Sequence, residues 1–136
     1  MEKHFELTDR EFELQFQEAK LDPSIFSHEA HLRLAYIHIY KYGIGQAVKN
    51  VNNQLLNYVH SLGAEYKYNM TLTTAAVKAV GHFMQRSQTI GFKDFIREFP
   101  KLKYNFRDLM SSHYKIDIFN SEKAKKEFLE PDLLPF

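Results

Sequence analysis

Seven histidines and no cysteine set the chemistry open to this 136-residue chain. Two of the histidines stand three residues apart in Phe26-Ser27-His28-Glu29-Ala30-His31-Leu32-Arg33. Ser27 belongs to the residue types that cap a helix start, where a side-chain oxygen accepts from an orphan amide. With Ser27 as the cap, His28 and His31 fall in the first turn, on one face and within reach of a common ion. The positive end of the helix dipole disfavours imidazolium there, which keeps both rings neutral and able to ligate. The ion that two such imidazoles suit is a divalent one, zinc or iron, with a third protein ligand from elsewhere in the fold. The spacing is short, and cap histidines bonded to nearby backbone or to Glu29 produce it too. His38 lies seven residues beyond His31, roughly on the same face and two turns deeper.

Other residues offer chemistry of a plainer kind. Arg33 shares the helix with the His pair, and its planar fork suits a substrate carboxylate or phosphate. An ion pair with a carboxylate such as Asp132 or Glu65 is the competing reading. Thr71 and Thr73, with Thr74, stand at a helix start, where hydroxyls and free amides hold anions or simply cap the helix. His4 and His60 read as surface residues. His82 faces either the core or a pocket, and His113 ends a helix. Lys123, Lys125 and Lys126 alternate with Glu122, Glu127 and Glu130, the pattern of a solvated face.

Composition removes several classes. Without cysteine there are no disulfides, thiolate nucleophiles, Fe–S clusters or Cys-ligated zinc. The 18 Lys and Arg against 17 Asp and Glu leave +1, too little field to capture nucleic acid or acidic lipid. No Gly-rich phosphate loop, nucleophile elbow or His-Glu-x-x-His motif occurs. The N-terminal residues are charged throughout and lack the apolar run of a signal peptide. No apolar run reaches the roughly eighteen residues of a membrane span. The expectation is a cytoplasmic protein with neither a nucleic-acid nor a membrane partner. A homo-oligomer stays open.

The positioning elements are helical. Only 5 Gly and 4 Pro occur, and they fall where helices stop, which argues against a many-turned β-fold. Thr8 to Glu11 fits a capping box. It opens a helix carrying Phe12, Phe16 and Ala19 on one face, with Pro23 as its end. The alternation of Phe12, Leu14 and Phe16 also suits a strand, but Glu, Gln, Lys and Ala in the remainder favour helix. Ser27 starts a second helix that runs to about Tyr42, with Gly43 as the stop. The third holds Ala47, Val51, Leu55, Tyr58 and Leu62 at the 3.6-residue period and ends at Gly63. Thr71, Thr73 or Thr74 caps a fourth with small residues along its apolar side. Further helices are predicted at Phe92–Phe99, from about Tyr104 to His113, and from a Ser121 cap towards Pro131. The apolar tail Pro131–Phe136 is expected to dock on the body. The sum is an all-α bundle of six or seven helices, with residues 1–136 forming one domain.

Three separated blocks resemble a family of small bacterial all-helical proteins of unassigned function. They are Phe26-Ser27-His28-Glu29-Ala30-His31-Leu32-Arg33, then Tyr68-Asn69-Met70-Thr71-Leu72-Thr73, then Pro131-Asp132-Leu133-Leu134-Pro135. The resemblance covers most of the chain from Phe26 onward and implies a shared fold. Members of that family tend to carry a His where this chain has Asn69. A His there would join His28 and His31 as a third imidazole. An amide ligates hard cations but replaces imidazole poorly on zinc or iron.

These readings give three functional expectations. The first is a metal-assisted enzyme or metal-binding protein in which His28 and His31 ligate the ion, Asn69 ligates weakly or orients water, and Arg33 holds an anionic substrate. The second is a non-catalytic domain that binds a small molecule or a protein through the same polar residues, with Thr71 and Thr73 among them. The third is a degenerate relative of a metal-binding family.

Overall fold

In a computed structural model describing residues 1–136, the chain forms eight α-helices and no strand. They are α1 (Asp9–Gln17), α2 (His28–Tyr42), α3 (Ile44–Ser61), α4 (Met70–Met84), α5 (Phe92–Glu98), α6 (Lys101–Tyr104), α7 (Phe106–His113) and α8 (Glu122–Lys126). Short 3-10 turns at Lys3–Glu6, Pro23–Ile25 and Glu65–Lys67 join them. The helices α2, α3 and α4 pack pairwise against one another, α1 and α6 lie on α2, and α8 lies on α4. One apolar core of 26 buried residues draws on every helix. Each fully buried Phe or Leu in it contributes about 1.5–3 kcal/mol.

Local signals fix most helix starts. At α1 the Thr8 hydroxyl accepts from the Glu11 amide while the Glu11 carboxylate accepts from the Thr8 amide. Phe12 and Phe16 are fully buried and Leu14 is half exposed, which is helical spacing and settles the strand alternative. The Ser27 hydroxyl accepts from Ala30 N at α2, and the Ser121 hydroxyl accepts from Ala124 N at α8. Gly43, at φ 82°, turns the chain from α2 directly into α3, a conformation that glycine adopts without steric cost.

The structure departs from expectation in four places. First, α1 ends at Gln17, before Pro23, because Ala19 takes a left-handed conformation at φ 57°. Pro23 instead opens the next 3-10 turn. Second, α4 is capped by Asn69, whose Oδ1 accepts from Leu72 N, so none of Thr71, Thr73 and Thr74 is its cap. Third, the helix expected from about Tyr104 to His113 is present as α7, and an unpredicted short helix, α6, precedes it across Asn105 (φ −129°, ψ 32°), raising the helix number above seven. Fourth, α8 spans only five residues, and 127–136 forms a non-helical strap.

That strap does dock. The Thr71 hydroxyl donates to Glu127 O at 2.6 Å and accepts from Leu129 N at 2.9 Å. Tyr114 Oη donates to Leu129 O, Leu133 N donates to His113 O, and Lys115 N donates to the Asp132 carboxylate. Phe136 stacks on His113 at 4.0 Å between ring centroids. Leu133 and Leu134 remain exposed, so hydrogen bonds and one ring, more than apolar burial, hold the strap. No helix is long and apolar enough to cross a membrane.

Candidate ligand-binding site

The first turn of α2 carries two different sets of polar side chains. His28 and His31 face a cavity of about 300 Å³, together with Lys67, Asn69 and Thr73. Its apolar wall includes Phe26, Leu32, Leu72, Phe106 and Phe119. A second cavity of about 240 Å³ adjoins it and shares Phe26, His31, Leu55 and Lys67. His28, His31 and Asn69 thus border one cavity, with Thr73 beside them.

The hydrogen bonds determine what each group has left to offer. His28 Nε2 lies 2.9 Å from Leu102 O. A carbonyl only accepts, so Nε2 carries the proton and Nδ1 holds the lone pair. The His28 ring also packs on Phe106, with centroids 4.8 Å apart. The His31 ring stacks on Phe26 at 4.1 Å and makes no hydrogen bond within the chain. Burial, then the neighbouring His28, pushes it down to about 4, so it is neutral at physiological pH. Asn69 is fully committed in one direction: its Oδ1 caps α4, and its Nδ2 donates to Ile118 O at 2.7 Å.

Two expected binding residues lie outside this space. Thr71 is completely buried and spends its hydroxyl on the C-terminal strap. Arg33, two residues past His31, projects about 200° round the helix. Its Nη1 donates to His4 O, and its Nη2 donates to Leu7 O and to Asp9 at 2.8 Å. Phe5 and Phe12 lie beside its guanidinium. The Arg33 fork is thus closed by the N-terminal segment, with Asp9 as its partner and neither Asp132 nor Glu65.

His4, expected at the surface, is fully buried. Its Nε2 lies 2.6 Å from Glu29 Oε1, and Arg33 Nη1 approaches its Nδ1 at 3.4 Å. An arginine only donates, so Nδ1 accepts and Nε2–H donates to Glu29. Burial pushes His4 below its ordinary value. Glu2, His4 and Glu29 bring ligating atoms within 4.8 Å of one another. The Lys103 ammonium already sits between the two carboxylates, 2.6 Å from Glu29 and 3.2 Å from Glu2. With its nitrogens used and a cation supplied by the chain itself, this cluster reads as a salt-bridge clasp. Short-range sequence signals could not reveal it, since His4 and Glu29 are 25 residues apart.

The remaining histidines are dispersed. His38 is buried on the α3 side of α2, with Nδ1 facing Asn50 and Nε2 unpartnered. It does not line the His31 cavities. His82 lines a cleft beneath the strap, His113 hydrogen-bonds Leu134 O, and His60 pairs with Glu65.

Compared with models of protein families, with curated proteins and with solved structures, the chain matches none.

Proposed function

We propose that this chain is a small-molecule binding protein and that its ligand occupies the two adjoining cavities that His31 borders. The observation that carries this reading is a half-buried imidazole without a hydrogen-bond partner, set in an apolar wall where α2, α3 and α4 meet. A pocket lined by rings with few convergent polar groups is the usual form of a ligand site. Each cavity exceeds the roughly 150 Å³ that holds a benzene molecule. The test is a titration of small aromatic fragments followed by amide NMR. Shifts should cluster at His28, His31 and the start of α4, and Ala76→Leu, which fills the cavity wall, should abolish them. Shifts centred elsewhere on the surface would overturn the reading.

A metal-binding reading keeps one specific support: His28 Nδ1 and the neutral His31 ring are both available lone-pair donors three residues apart. Zinc sites ordinarily add a third nitrogen, sulfur or carboxylate ligand, and the cavity lining offers none. Elemental analysis of protein purified without a His tag separates the readings. Stoichiometric zinc or iron would favour the metal.

A further inference from the structure

We propose that the ligand of the His31 cavities is an apolar molecule ending in a single carboxylate, with Lys67 as its countercharge. This rests on the small-molecule reading above and adds the chemical class.

Neither cavity is lined by any Asp or Glu. Three other clefts of the molecule each include a carboxylate: Glu130 beneath the strap, Asp117 beside α7, and Glu2 with Glu29 at the N-terminal clasp. Lys67 is the one formally charged group in the lining, and it borders both cavities. It sits in the 3-10 turn Glu65–Lys67, its side chain is exposed, and no carboxylate pairs with it. Its ammonium lies 6.0 Å over the Tyr66 ring.

The lining argues for one charge rather than several. A phosphate ester presents up to two charges and is ordinarily held by several donors or a guanidinium fork. Here the only arginine of α2 is closed by Asp9, and Asn69 Nδ2 is spent on Ile118 O. One ammonium, the Thr73 hydroxyl and one neutral imidazole N–H suffice for two carboxylate oxygens. The body of the ligand is set by the rings around it. Phe26 lines both cavities, Tyr58 belongs to one, and Phe106 and Phe119 to the other. Such walls favour an aryl group by edge-to-face or offset contact. Because Lys67 borders both cavities, the fitting shape is an aromatic ring on a short chain with its carboxylate towards Lys67.

The experiment uses three isosteric probes: 3-phenylpropionate, 3-phenylpropanol and 3-phenylpropylammonium. Each is titrated into the intact protein by calorimetry, with amide NMR to locate binding. The carboxylate should bind at least tenfold more tightly than the alcohol, and the amine should bind least. The carboxylate's preference should shrink as salt rises, because the countercharge is exposed and screened. Lys67→Gln, at an exposed turn position, should reduce the carboxylate's affinity about tenfold, to that of the alcohol, and leave the alcohol's unchanged. Equal binding of alcohol and carboxylate, or an amine that binds best, would overturn the carboxylate assignment while leaving a small-molecule site. A carboxylate whose affinity is unchanged in Lys67→Gln would remove Lys67 from it. If no probe shifts the amides of His31, Asn69 and Thr73, the small-molecule reading itself fails.

Discussion

Two faces of the same helical turn behave in opposite ways. On one, Glu29 and Arg33 stand four residues apart and find protein partners for their charged atoms: His4, Lys103, Asp9 and the His4 and Leu7 carbonyls. On the other, His28 and His31 stand three apart, and only His28 is hydrogen-bonded. Both faces carry titratable residues, so residue type does not distinguish structure from binding. What distinguishes them is whether the chain itself supplies the partner. The N-terminal segment folds back to saturate the first face. Mostly rings and aliphatic side chains border the second, and none of its polar neighbours hydrogen-bonds the His31 ring.

The largest effect should come from opening the saturated face. Glu29→Ala leaves the buried His4 Nε2–H without its acceptor and Lys103 with Glu2 alone, and should cost about 3 kcal/mol or more, measured by urea unfolding. A loss under about 1 kcal/mol would show that the clasp is a surface ion pair and would end the contrast between the faces. Deleting Pro131–Phe136 removes the Leu133 and Asp132 hydrogen bonds and the Phe136–His113 stack. A loss of about 2 kcal/mol, seen as a melting temperature lower by several degrees, is expected. An unchanged melting curve would show that the strap's bonds contribute nothing.

Asn69→His tests the open face more finely. The substitution removes the α4 cap and should cost about 1 kcal/mol without metal. If the new imidazole joins His28 and His31, zinc should restore that loss and bind more tightly than to the wild type, as calorimetry at pH 7.5 would read. His31→Ala in the same background should abolish the gain. Cap loss without any zinc gain would show that position 69 cannot turn towards the pair.

The smallest effect at neutral pH belongs to His31→Phe. It removes no hydrogen bond, so its cost should be within about 1 kcal/mol. Its signature is in acid. In the folded chain His31 is pushed down to about 4, whereas the unfolded chain protonates it near 6.5. The unfolded state therefore binds more protons between those values, and stability falls as pH drops through that window. His4 and His38, also lowered by burial, add to the same slope. Unfolding free energies from pH 7.5 to 4.5 should decline less steeply in His31→Phe than in the wild type. Parallel declines would place the His31 ring in water.

Much of the scaffold was legible in the residue order. Thr8, Ser27 and Ser121 announced helix starts because a cap is a bond between neighbours in the chain. Phe12 with Phe16, and Ala47 through Tyr58, announced buried faces by their period. His28 and His31 were identifiable as a pair for the same local reason. Asn105 and Ala19 were not legible as breaks, since each depends on how flanking segments reach the core.

Everything that assigns a job to a side chain was decided by the tertiary structure. Sequence could present Arg33 as an anion clamp, Thr71 as an anion ligand and His4 as a surface residue. The folded chain turned Arg33 to Asp9, gave Thr71 to the strap and buried His4 against Glu29. The physical reason is that hydrogen bonds and ion pairs saturate: a polar group is free for a ligand only if no distant segment reaches it first. Local spacing fixed which face of α2 each residue occupies. Only the packing of residues 1–8, α6 and the strap decided that Arg33, His4 and Thr71 are claimed by the chain while the His31 ring and the Lys67 ammonium are not.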